Sequence, residues 1–107
     1  MNYVVLVVPN YNETRGTDPY ITQAPLERRM VVTVGTLVQV YLIPLEGSDP
    51  KEKVWVRITK REVGVGDRKG YRYYSGILES KPFSANLPEK GSQIDEFTHT
   101  SILEISP

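Results

Sequence analysis

Apolar and polar positions alternate with a period of two along much of this chain. The clearest case is Lys53 to Glu62 (KVWVRITKRE), where Val54, Val56 and Ile58 fall on one side and Lys53, Trp55, Arg57 and Thr59 on the other. That pattern predicts a half-buried strand. Tyr3 to Val8 (YVVLVV), Met30 to Val34 (MVVTV) and Leu37 to Ile43 (LVQVYLI) are β-branched runs, and they predict strands stopped by Pro9, Gly35 and Pro44. Tyr71 to Leu78 (YRYYSGIL) reads as the return strand of a hairpin whose loop is Val63 to Gly70, with Gly76 marking a bulge or a close backbone approach. Gln93 to Phe97 and Ile102 to Ile105 close the series, joined across Thr98 to Ser101 by a tight or 3₁₀ turn. Between them, Glu79 to Gly91 is loop, from which Phe83 and Leu87 are expected to tuck under the end of the sheet. No window shows a helical period. Five to seven short strands with turn signals between them predict an all-β domain, a small barrel or sandwich.

The exception is the stretch from Pro9 to Arg29 (PNYNETRGTDPYITQAPLERR), which holds three prolines and keeps no apolar period. Unstructured loops longer than about 12–15 residues are uncommon in compact domains and are often functional or disordered. Two readings stand: a wrapped connection or flexible arm, or a partner-binding loop carrying Tyr11, Arg15 and Tyr20.

Taken in order, GTLVQVYL (35–42), KEKVWVRIT (51–59), YYSGILESKPF (73–83) and LPEKGSQIDEFTHTSILEI (87–105) resemble the YegJ-like family of small bacterial domains. That family's pattern runs from a Trp-Val strand through a Tyr-x-Gly-x-Leu strand with a nearby Pro to a Gly before a strand ending in Phe. The resemblance spans residues 35 to 105 and implies an SH3-like layout; with this chain's own long N-terminal loop, the expected fold is one small SH3-like or related, partly open β-barrel of five to seven short strands. The resemblance also implies a non-enzymatic role and supplies no catalytic residue. Gly91 is followed by Ser92 where the family usually carries an acidic residue, and the 9–29 stretch has no counterpart.

Length and charge narrow the function classes. With 107 residues, the chain allows one domain with one core. The absence of Cys removes disulfides, thiolate metal sites and a Cys nucleophile, and fits a cytoplasmic protein. No run approaches the ~20 apolar residues of a membrane span. Thirteen basic residues balance thirteen acidic ones, but unevenly. Residues 51–78 hold eight basic groups (Lys51, Lys53, Arg57, Lys60, Arg61, Arg68, Lys69, Arg72) against three acidic ones, while both flanks are net acidic. Trp55, Tyr71, Tyr73 and Tyr74 sit on the same hairpin.

Chemistry is sparse. His99 is the one histidine, and as a turn residue it is expected to bond local backbone. Asp95 and Glu96 are adjacent and, on a regular strand, face opposite sides. A hydrolase would require Asp95, Glu96 and His99 to converge in a cleft. The glycines of Val63 to Gly70 lack the spacing and the Lys-Ser/Thr ending of a phosphate-binding loop. No metal or cofactor is expected. The leading expectation is a non-enzymatic protein–protein interaction module or small inhibitor, of the accessory type found in phages and mobile elements. Its candidate surface is Trp55, Arg57, Arg68, Arg72, Tyr73 and Tyr74 with Tyr11, Arg15 and Tyr20, since Trp, Tyr and Arg dominate binding hot spots. Self-association fits the basic centre and acidic flanks. The alternative is a nucleic-acid binder using hairpin 51–78, with rings stacking bases and cations tracking phosphates. A Trp at position 55 is either covered by another segment or offered to the partner.

Overall fold

Strand pairing dominates the computed structural model, which describes residues 2–8 and 23–107. Its strands are β1 (Tyr3–Val5), β2 (Leu37–Pro44), β3 (Glu52–Val63), β4 (Arg72–Leu78), β5 (Gln93–Thr98) and β6 (Glu104–Ile105). They pair antiparallel in the order β1-β2-β3-β4-β5, and β6 returns to pair with the start of β2 at Val38 and Gln39. That return, reached through a 3₁₀ turn at His99–Ser101, curls the sheet into a nearly closed SH3-like barrel. No helix among the described residues is long and apolar enough to cross a membrane.

The period-two alternation decides what the barrel encloses. Val38, Val40 and Leu42 of β2 face Val54, Val56 and Ile58 of β3, all of them buried, and Tyr74, Leu78, Ile94, Phe97 and Ile102 complete the core. Each such aliphatic side chain contributes roughly 1.5–3 kcal/mol on leaving water.

Two irregularities bend the sheet around Gly76. On β3, Ile58 pairs with Gly76 and Lys60 with Ser75, so Thr59 is an extra residue. On β5, Ile94 pairs with Gly76 but Phe97 with Tyr74, so Asp95 and Glu96 together oppose one residue of β4. A β-carbon at Gly76 would press into the Arg57 carbonyl and Val56 Cγ1, so this position takes only glycine, as the close-approach reading requires.

Several expectations are corrected. Tyr3 to Val8 is a strand only at Tyr3–Val5, and Val4 and Val7 are exposed, because β1 lies on the barrel's rim with one face to solvent. Met30 to Val34 forms no strand. It follows a single helical turn, α1 (Leu26–Arg29), and only Val32 enters the core; Gly35, at φ 94°, turns the chain into β2. Ile102 to Ile105 is a strand only over its last pair of residues. Of the expected 9–29 loop, residues 9–22 lie outside the described residues. The chain leaves them and re-enters at one place: Val8 N–H and the Gln23 side-chain amide both donate to Thr100 O, at 3.2 and 3.0 Å.

Candidate functional site

The hairpin residues expected to form one surface are distributed over three places. Trp55 and Arg57 lie on the outer face of β3, opposite Gln39 and Leu37 of β2. Trp55 is half-buried; its N–H donates to Ser80 Oγ (2.8 Å) and its carbonyl accepts from Glu79 N–H (2.9 Å). Arg57 lies 3.4 Å from the Glu79 carboxylate and donates to Gly35 O (3.2 Å). Tyr73 is also outward, but it pairs with Glu62. Seven residues of strand separate Glu62 from Trp55, roughly 20 Å at the usual rise. Tyr73 and Arg68 instead meet each other there, with the guanidinium donating to the phenol (3.1 Å) and lying 5.9 Å from the ring centre.

Tyr74 leaves the candidate surface altogether. It is 0% exposed, in the core, and its hydroxyl donates to Arg29 O at 2.8 Å, tying the α1 segment to β4. Arg72 shares Tyr74's side of the strand and is half-buried at the barrel end, donating to Lys69 O and Tyr71 O. Tyr11, Arg15 and Tyr20 lie outside the described residues.

Several of the hairpin cations make contacts within the molecule, two of them with carboxylates. Arg61 donates to Met30 O at 3.1 Å, much as Arg57 and Arg72 donate to backbone carbonyls. Lys60 pairs with Glu62 at 2.9 Å, and Lys51 and Lys53 stand 5.2 and 5.7 Å from the Tyr41 ring centre. All of these side chains but half-buried Arg72 stay exposed, and bonds to carbonyls and aromatic faces leave their charge in place.

The acid–base residues do not converge. Asp95 and Glu96 are both exposed, correcting the expectation of opposite faces; the bulge turns them outward together. His99 is buried and its bond is long-range rather than local, with Nδ1 accepting from the Arg72 backbone N–H at 3.2 Å. Burial, with the Arg29 and Arg72 cations, holds its pKa below the ordinary histidine value. Among the described residues, no three His, Asp or Glu side chains gather as a metal site.

What the alternation did not reveal is Phe83. Leu87 is buried as expected, but Phe83 is 100% exposed. The loop that carries it is tightly held. The two Glu52 carboxylate oxygens accept from Phe83 N–H (2.8 Å) and Ser84 N–H (2.9 Å). Ser84 Oγ donates to Asp49 and accepts from Asn86 N–H (3.0 Å), and Leu87 N–H closes a turn onto Ser84 O (3.3 Å). Buried Leu87 thus anchors one end and a carboxylate the other, with the phenyl ring standing free between two shallow grooves of about 470 and 280 Å³. Phe83 lies at the same end of the barrel as Trp55, whose backbone partner Ser80 begins this loop. A lone Phe in a Pro- and Ser-rich stretch (Lys81-Pro82-Phe83-Ser84) was the only signal in the sequence.

Comparison of the chain with models of known protein families, with curated proteins and with solved structures finds no match in any of the three.

Proposed function

We propose that this domain is a protein-binding module and that Phe83 is the anchor of its contact, with Trp55 and Arg57 on the neighbouring outer face of β3. The observation that supports this most directly is a fully exposed phenyl ring on a loop fixed by the Glu52 carboxylate. A large apolar side chain left in water has a hydrophobic gain still to collect, and holding the backbone that carries it lowers the entropy cost of binding. Aromatic and Arg side chains together have hot-spot composition. The small size and lack of cysteine favour a cytoplasmic accessory or inhibitor protein with no catalytic step of its own.

The test compares capture of cell protein by tagged wild type, Phe83→Ala and Tyr73→Ala, each first shown to melt cooperatively. A partner that survives nuclease, is lost with Phe83→Ala and is kept with Tyr73→Ala supports the proposal. Capture unchanged by Phe83→Ala refutes it. Nucleic acid released by raised salt, with no stable protein partner, transfers the reading to nucleic-acid binding.

A further inference from the structure

The barrel has a seam. Neither β1 nor β5 has a strand neighbour on its outer edge among the described residues, and the two edges flank a common slot of about 340 Å³ lined by Tyr3, Val5, Val7, Asp95, Phe97 and Ser101. At one end the slot closes backbone to backbone, where Val8 N–H donates to Thr100 O at 3.2 Å. At the other end only a side chain crosses it, with Asp95 N–H donating to Tyr3 Oη at 3.0 Å. A tyrosine reaches about 6–7 Å from its Cα, so with that 3.0 Å hydrogen bond the gap there is at most about 10 Å, or two inter-strand spacings. The seam opens from the Val8–Thr100 hydrogen bond towards Tyr3 and Asp95, with room there for no more than one added strand.

Two further features point to a hydrogen-bonding, extended occupant. Ser101 is 1% exposed, lines the slot, and its Oγ has no hydrogen-bond partner, a state that costs stability unless something pairs with it. Asp95 and Glu96, both turned outward by the β5 bulge at the slot's rim, take no part in the ion pairs among the described residues. A single apolar side chain in the slot would leave Ser101 and both strand edges unpaired. An extended backbone offers N–H and C=O groups to both edges.

We propose that the seam between β1 and β5 takes up a short extended segment of a protein partner as an added strand, one in which apolar residues alternate with Lys or Arg. The apolar side chains meet Val5, Val7 and Phe97, and the cations meet Asp95 and Glu96. This site is separate from Phe83 and stands or falls independently of it.

The test titrates the capped peptide Lys-Val-Lys-Val-Lys into ¹⁵N-labelled protein, beside the same peptide N-methylated at both valines and a third with Glu for Lys. Shifts at the amides of residues 3–7 and 95–101 are expected. N-methylation removes two donors and should weaken binding roughly tenfold; charge reversal should weaken it as well. Ser101→Ala should melt at the same or a higher temperature while binding the peptide several-fold more weakly, a combination that a purely structural serine would not give. The proposal is overturned by no binding at millimolar peptide, by equal binding of the N-methylated form, by shifts centred on residues 81–87, or by a Ser101→Ala variant that melts lower with unchanged affinity.

Discussion

Glu52→Ala isolates what holds Phe83 in place. The carboxylate gives one oxygen to each of two loop amides, at 2.8 and 2.9 Å, and it is half-buried. Hydrogen bonds to a charged acceptor contribute about 1.5–3 kcal/mol when shielded, and partial exposure places the two together at about 2–3 kcal/mol. Because both bonds end within the loop, the loss should appear as local opening: Phe83 and Ser84 amides should exchange with solvent roughly 30- to 160-fold faster. Glu52→Gln keeps one carboxyl-type oxygen and should release one amide far more than the other. The assay is site-resolved hydrogen exchange, with a urea titration on the same samples. Unchanged exchange at Phe83 and Ser84 would refute the reasoning. So would a fall in global stability as large as the local effect, since Glu52 would then be holding the barrel rather than the loop.

Tyr74→Phe should cost about 1–2 kcal/mol by stranding Arg29 O, and Tyr74→Ala about 3–5 kcal/mol, both read by urea unfolding; a Tyr74→Ala protein of wild-type stability would contradict its place in the core. Gly76→Ala should unfold the domain or cost several kcal/mol, because the new methyl meets the Arg57 carbonyl of the paired strand; a melting temperature within a few degrees of wild type would show that the strands can part there. His99 gives the stability a pH dependence of definite sign. Its folded pKa lies below the unfolded value of about 6.5, so the unfolded chain takes the proton first, and stability present above about pH 6.5 is lost as pH falls through that value towards the folded pKa. The groups facing the ring are Arg29, Arg72 and Tyr71. His99→Asn, which keeps an acceptor for Arg72 N–H, should flatten unfolding free energy between pH 5 and 7; an unchanged slope would assign it to other groups.

Period two in the sequence was sufficient to place the core face of β3, the two hairpins around it and the glycine that lets β4 approach, because those features depend on local alternation and on the size of one side chain. Local alternation could not place what depends on partners far along the chain. The Met30–Val34 run has strand composition but follows the α1 turn directly and ends at the Gly35 turn, committing only Val32 to the core. Asp95 and Glu96 share the outer surface because β4 opposes them with one residue, which nothing in β5 encodes. Tyr74 and Tyr73 are neighbours of one residue type, yet Arg29 O, 45 residues away, draws one inward while Arg68 meets the other. In the 79–92 loop no alternation exists to sort Leu87 from Phe83. Leu87 was taken by the barrel end, and the Glu52 carboxylate, 31 residues earlier, fixed the backbone so that Phe83 points to solvent. The sequence determined a small all-β barrel and which faces of its strands are apolar; the tertiary structure alone decided which aromatic is offered outward and where the barrel stays open, since both follow from hydrogen bonds that close only after distant strands have paired.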